Sequence, residues 1–581
     1  MRTKADGCAV WPASSFARGP ITQSDRWHGL CDTCYTPVLQ VSRGTNMMQM
    51  PPKFSKRQLL LSIGKTAGAA TMYQAMTALG FAAESDYKGS PQLTGAPKGT
   101  RVLVLGGGLA GMTAAYELRK AGYAVRILEY NPRAGGRCWT IRGGDVYTEL
   151  GGATQKCAFD PGLYINPGPW RIPYHHHAVL DYCKKFGVRL EPFIQVNYNA
   201  LVHSTKAFGG KPQIYRHVQA DFQGHTAELL GKAINAGALD EQFVPEDREK
   251  LLDALTRWGG LTKDRTYGPS LQSSLFRGFE VAPGGGLMPA QKFSTPMDYK
   301  ELIASGLWKR ISAGQDIEFQ SSIFQPAGGM DMISKAFERE VKTLIRYNTK
   351  IVKIHQDDKK VRVTFKNSDG TGQEQTETAD WCVCTIPLSI LSQIPLTVGP
   401  AMHAAINAVP YGSSVKIGLQ FKRRFWEQDE QIYGGISYTD TPIQRIAYPN
   451  SDYGKPGKGV LLGAYLWEGV NAYEFTAMSP AQRIRKAVEY GNLLHEQYAR
   501  EFDNGVAVAW HRVPWVNGCY GHWTDPMREK HYNNLCQIDN RIVLAGEHAS
   551  FIPAWMEGAV LSALDATERL HQTIVATAKT A

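Results

Sequence analysis

No stretch limits the fold of this chain as strongly as Arg101-Val-Leu-Val-Leu-Gly106-Gly-Gly108-Leu-Ala-Gly111. A short apolar run enters three spaced glycines, and a helical pattern follows from Met112 to about Ala121. Strand, tight turn and helix are expected in that order. Gly106 makes the turn, Gly108 lets backbone approach a pyrophosphate, and Gly111 lets the helix pack on the strand. Leu109 and Ala110 lie in the turn that leads into the helix, whose unpaired N–H groups and positive dipole end attract phosphate. Val125-Arg-Ile-Leu-Glu129 is the second strand, and Glu129 stands where a carboxylate binds an adenosine ribose. The unit predicts an α/β fold around a dinucleotide.

Glu129 is followed by Tyr-Asn-Pro-Arg133-Ala-Gly-Gly136-Arg137 and then by Glu149-Leu-Gly151-Gly152-Ala153. A further glycine-rich turn gives a long cofactor more backbone to lie along. The run Glu-x-x-x-Arg-x-Gly-Gly-Arg resembles the signature of the FAD amine oxidase superfamily, and the resemblance extends from Gly95 to about Thr573. It implies FAD rather than a nicotinamide cofactor. It also implies a Rossmann-like FAD-binding domain of the GR2 type, discontinuous in sequence, with a mixed-sheet substrate domain and a helical insertion. The apolar patterns divide accordingly. FAD-binding segments are expected at 95–164, 323–400 and 513–575, substrate-domain segments at 165–221 and 401–512, and helices at 222–322. The β-branched run Ile345–Ile354, carrying Val352, reads as one strand of the second FAD segment.

At 581 residues the chain is longer than one core supports. With 43% hydrophobic and 20% charged residues it is globular. The net charge of +11 is spread out; Lys422-Arg-Arg424-Phe-Trp is too short for a nucleic-acid surface, and no such partner is expected. Ten cysteines show no disulfide rhythm, and Cys31-x-x-Cys34 lacks a second pair, so no metal is expected. Residues 1–46 form an irregular leader or start-site extension. Residues 47–94 carry Lys53-Phe-Ser-Lys56-Arg57 and a weakly apolar stretch to Ala83, and resemble a twin-arginine export signal and linker. That resemblance implies periplasmic or secreted location through the Tat machinery; the alternative is an amphipathic helix on a cytoplasmic enzyme.

Arg171 lies in the rigid loop Asn166-Pro-Gly-Pro-Trp-Arg171-Ile-Pro173, where a planar fork of donors suits a carboxylate or a structural acid equally. Gly-Pro-x-Arg-Ile-Pro resembles the motif of L-amino acid oxidases, bacterial tryptophan oxidases included, and by that resemblance Arg171 holds the substrate carboxylate. Lys416, on an apolar strand, would otherwise read as an edge lysine; the resemblance makes it the residue that holds a water against the flavin. Gly546, Glu547 and Met556 match the family's C-terminal FAD contacts. Trp555 and Tyr520 match its aromatic walls, and Tyr465 its second carboxylate ligand, with a register ambiguous by one residue. Gly518-Cys519-Tyr520 also resembles the segment through which some monoamine oxidases bind flavin covalently, whereas L-amino acid oxidases hold it without a bond. The implied reaction converts an L-amino acid, O2 and water to a 2-oxo acid, ammonia and hydrogen peroxide. The alternatives are an amine or polyamine oxidase, an amino acid monooxygenase, or a non-catalytic flavin binder. A homodimer is the default assembly.

Overall fold

The computed structural model describes residues 85–237 and 244–580; the leader and the basic-apolar segment up to residue 84 lie outside these. Five strands pair in parallel in the order Ile345–Arg346, Ala124–Leu128, Arg101–Leu105, Trp381–Cys384 and Ile542–Leu544. Their dense apolar content suits a sheet buried on both faces. Alternation along the first strand sends Val102 and Val104 towards the helices Leu109–Ala121, Asp331–Val341 and Met556–Thr580. Leu103 and Leu105 face the other way, into a core shared with Ile351, Val363, Phe365 and Ala379. Those residues belong to an antiparallel sheet of Thr349–Gln356, Val361–Asn367 and Gln375–Ala379. The run Ile345–Ile354 is therefore two strands in two sheets. Asn348, left-handed at φ 54°, breaks it.

A seven-stranded mixed sheet forms the other half, in the order Gln213–Ile214, Leu201–His203, Ile436–Thr439, Arg445–Ala447, Gly459–Trp467, Ser414–Phe421 and Phe502–Ala509. Tyr438, Ala447, Leu462 and Tyr465 pack on one of its faces; Ile446, Leu461 and Ala464 pack on the other. The ladder between Ser414–Phe421 and Gly459–Trp467 shifts register at Gly463. That bulge puts Leu462 and Tyr465 on the same face although three positions separate them.

The helical insertion consists of Tyr215–Asn235, Pro245–Trp258, Leu271–Arg277 and Tyr299–Ser305. Its first helix starts ahead of the boundary expected at 222. Asp221, fully buried inside that helix, ties the insertion together: it pairs with Arg277 at 3.0 Å and accepts from Tyr267 Oη and the Met297 N–H.

Candidate active site

A long cleft opens where the parallel strands end, lined by residues that follow three of them: Gly106, Thr385 to Pro387, and Gly546. Gly106 turns at φ 106°, and a Cβ on Gly111 would lie 1.9 Å from the Gly106 carbonyl oxygen, so helix and turn touch through glycine alone. Gly108, Leu109 and Ala110 line the cleft; Gly111 packs behind it. Glu129 is held in place by donors: Oε2 accepts from the Gly107 N–H at 2.6 Å, and Oε1 from the N–H and side chain of Asn131. Beside it Tyr130 and Trp515 stack 4.8 Å apart, nearly parallel.

The middle of the cleft is closed by an ion pair between chain segments far apart in sequence. Arg137 Nη1 donates to Glu547 Oε1 at 2.7 Å and to the Cys519 carbonyl oxygen at 2.8 Å. Glu547 also accepts from the N–H groups of Gly521 and Ala554. Burial pushes its carboxyl up, but Arg137, His548 and these donors outweigh it and hold it below the usual glutamate value.

The far end is aromatic: Tyr465, Trp467, Trp510 and Trp555 surround Gly168, Pro169 and Met556. A Cβ on Gly168 would lie 1.9 Å from the Arg137 carbonyl oxygen, so this turn is locked against the cofactor signature. Glu557 fixes Trp555 next door. Its carboxylate accepts from the N–H groups of Ala178 and Val179, at the start of the helix His177–Lys185, where a helix dipole favours an anion. The ring of Trp555 then meets the edge of His176, 4.9 Å away. Phosphate-binding helix end, ribose-type carboxylate, glycine walls and an aromatic terminus fit an extended FAD.

Several expected positions lie elsewhere. Gly151, Gly152 and Ala153 form the exposed tip of a hairpin between Val146–Thr148 and Thr154–Lys156 and do not line the cleft. Glu149, which precedes them, is consumed by a buried pair with Arg483. Gly168-Pro169, by contrast, does reach the cleft. Val352 sits at a bulge in its strand, leaving Thr349 and Ile351 on the cleft wall. Tyr520 is one layer back, stacked 5.0 Å behind Trp467, which holds the wall position. Trp467 could have been found from Tyr465, because residues two apart on a strand share a face. Tyr130, adjacent to Glu129, and Trp510 were further omissions. Cys519 lines the cleft, and burial pushes its thiol up to about 11.

Arg171 lies behind the Trp555 wall in a cage of rings. Its guanidinium carbon is 4.4 Å from the ring centre of Phe319, 5.0 Å from Trp170, 5.9 Å from Trp555 and 6.0 Å from Phe193. Nε and Nη1 are buried without a hydrogen-bond partner. Burial lowers its pKa to about 10, which still leaves it cationic at neutral pH. Phe193 and Phe319 also line a second cavity, bounded by Tyr215 and Ile311 of the helical side.

Lys416 and Tyr465 are direct cross-strand partners, and Lys416 Nζ lies 4.4 Å from the tyrosine ring centre. The ammonium donates to the Gly168 carbonyl oxygen at 2.6 Å, so it meets the cleft through that turn. Burial lowers its pKa from 10.5 to about 7. Between those values the unfolded chain holds a proton that the folded chain lacks, so this residue's contribution to stability rises with pH. Wild type should therefore gain on Lys416→Met by a few kcal/mol between about pH 7 and 10. Urea denaturation at the two pH values measures the gap; a gap that stays constant would refute a buried, readily deprotonated amine.

Fold and cleft together define a Rossmann-type flavoprotein. The family model described as flavin containing amine oxidoreductase matches residues 109–571, and the chain belongs to that family. It is 29% identical over 493 residues to a putative L-amino-acid oxidase, YobN, of Bacillus subtilis, covering 80% of this chain and 93% of that protein. It is 27% identical over 511 residues to the L-amino-acid oxidase of Bothrops pauloensis, covering 84% and 93% of the two chains. Among solved structures it resembles cyclohexylamine oxidase from Brevibacterium oxydans and a putrescine oxidase with redesigned cofactor binding. Both have a TM-score of 0.52; identities are 17% and 16%, with 83% and 84% of this chain and 100% of each structure covered. The chain is an FAD-dependent oxidoreductase of the amine oxidase type.

Proposed function

We propose that this enzyme oxidises an L-amino acid with O2 and water, giving a 2-oxo acid, ammonia and hydrogen peroxide. The observation that carries the reading is Arg171: a buried guanidinium with two unpartnered nitrogens, 5.9 Å from the Trp555 ring at the aromatic end of the cleft. A buried cation with unused donors gains charge-assisted bonds from a carboxylate, and an amine substrate offers it nothing equivalent. The curated relatives named as L-amino-acid oxidases support the same substrate class.

FAD, held by the Gly106 turn, Glu129 and the Arg137–Glu547 pair, would supply the two-electron acceptor for oxidation at the substrate Cα, with O2 as the final oxidant. The chain's own part is positioning. Arg171 fixes the carboxylate end, with the Tyr465 ring beside the cleft. Trp555 and Trp467 confine the amino end between flat walls, and the mostly apolar surroundings exclude water. Lys416 anchors the Gly168 turn and holds or releases a proton near neutrality at Nζ.

The test is a peroxide assay comparing L-amino acids with the amines their decarboxylation would give. Turnover of amino acids alone supports the reading; turnover of the amines alone refutes it. Cys519, its thiol kept protonated, is assigned no bond to the flavin. Acid precipitation of holoenzyme should leave the yellow colour in solution, and colour that stays with the protein would overturn that assignment.

A further inference from the structure

The face of the seven-stranded sheet that carries Lys416 and Tyr465 carries more positive charge than one carboxylate requires. Arg445 lies one strand beyond Tyr465, and its direct antiparallel partner Tyr438 lies two strands beyond. The Arg445 guanidinium lies 5.0 Å from the ring centre of Tyr465, opposite in sequence to the strand that brings Lys416. Arg310, at the end of the short helix Leu307–Arg310, lies 5.7 Å from the ring centre of Tyr438. Tyr465 thus lies beside Arg445 and Tyr438 beside Arg310, and both tyrosines act electrostatically on Arg171.

The three other arginines that are buried as deeply as Arg171 are neutralised. Arg277 pairs with Asp221, Arg424 with Glu427 and Arg483 with Glu149. Among the described residues Arg171 has no such partner, nor does the half-buried Arg445; Arg310, likewise without one, is exposed. Arg445 Nε is buried without a hydrogen bond, as are Nε and Nη1 of Arg171. Arg445 and Arg310 each stand in the other's field, and that repulsion adds to burial in lowering the pKa of Arg310. Glu318 is the carboxyl that acts on Arg171, and burial raises it to about 7; Asp316 beside it is raised as well. Asp440 accepts from Ser204 and Thr205 and acts on the exposed Arg310 as the nearest anion. None of these carboxyls bonds the buried nitrogens of Arg171 and Arg445, and unpartnered buried donors of like charge are costly until an anion joins them.

We propose that the substrate brings that anion: a second carboxylate, on the side chain of an acidic L-amino acid, bound by Arg445 with Arg310 while Arg171 takes the α-carboxylate. This rests on the amino acid oxidase reading and narrows it to dicarboxylic substrates of the glutamate and aspartate type. Arg445 and Arg310 are then specificity residues, away from the reacting Cα.

The test uses holoenzyme and the peroxide assay with L-glutamate, L-aspartate, their amides L-glutamine and L-asparagine, L-leucine, L-lysine and 4-aminobutyrate. The acids should exceed their amides in kcat/KM by about tenfold or more, since a site built for a charge rejects the neutral isostere, and L-lysine should be poorest. Arg445→Gln should lower the glutamate-to-glutamine ratio by about tenfold or more, and Arg445→Lys should recover part of it. Flavin content and thermal unfolding of each variant report folding, and the ratio within one preparation is independent of yield. Amides turned over as well as acids, or a ratio unmoved in Arg445→Gln, would overturn the proposal. If neutral amino acids react and the acids do not, the dicarboxylate inference fails while the oxidase reading stands. If only 4-aminobutyrate reacts, both fail.

Discussion

Arg171→Ala should cost the enzyme about 2–5 kcal/mol in kcat/KM for amino acids, the usual penalty for truncating one partner of a buried, hydrogen-bonded charge pair. That corresponds to roughly 30-fold to several-thousand-fold. Most of the loss should fall on KM if the carboxylate is bound equally in ground and transition states. The cage sharpens the expectation. Trp170, Phe319, Phe193 and Trp555 offer ring faces but no alternative hydrogen-bond donors of comparable strength, so alanine leaves the substrate carboxylate facing hydrocarbon. Arg171→Lys should recover only a fraction, because an ammonium cannot reproduce the fork. Steady-state kinetics with one good amino acid substrate measures it. Kinetics within twofold of wild type would remove Arg171 from the substrate site.

Glu547→Ala is expected to act on the fold as well as on the cofactor. The pair with Arg137 is mostly buried: the side chains are 5% and 23% exposed. Removing the carboxylate strands the guanidinium with only the Cys519 carbonyl as a partner, and frees the N–H groups of Gly521 and Ala554. Breaking a buried pair on one side costs about 3–5 kcal/mol. Because Arg137 and Glu547 both line the cleft, flavin retention should fall together with stability. Glu547→Gln keeps an acceptor for the two N–H groups and should lie between alanine and wild type. Denaturant titration and the flavin-to-protein absorbance ratio test this. A Glu547→Ala protein within about 1 kcal/mol of wild type and fully yellow would show that the pair does not hold the two segments together.

The glycine turn, its helix and Glu129 were legible because their chemistry is local: spacing within thirty or so residues fixes strand, turn and helix. Arg171, Lys416, Glu547 and Trp555 were reachable only through the family resemblance, since a single arginine or lysine carries no periodic signal. The misplacements share one cause. A pair of glycines after an acid looks the same whether it turns a hairpin or cradles a cofactor. Arg483, more than three hundred positions away, decided the matter by capturing Glu149. Trp467 follows from Tyr465 by alternation, but that the loop residue Tyr520 stacks behind it is a tertiary contact with no sequence signal. The register at Tyr465 was undecidable for a physical reason: strict alternation would put Leu462 and Tyr465 on opposite faces, and the Gly463 bulge puts them together. Nothing in the sequence marked Arg445, Arg310 or Phe319, which come together only through strand pairing and the helical insertion.

The parallel sheet takes its last strand, Ile542–Leu544, from near the end of the described chain, and the Arg137–Glu547 contact spans 410 positions. Synthesis proceeds from the N-terminus at about 5–20 residues per second, so Arg137 emerges roughly 20–80 s before the residue that neutralises it. During that time the phosphate-binding turn exists without its opposite wall, and the apolar strands Arg101–Leu105 and Trp381–Cys384 wait for a covering edge. Nascent chains halted before residue 541 should fail to retain flavin however well their first domain is ordered. Flavin capture thus waits until residues 542–547 have been synthesised, about four hundred residues after the turn that meets the phosphates.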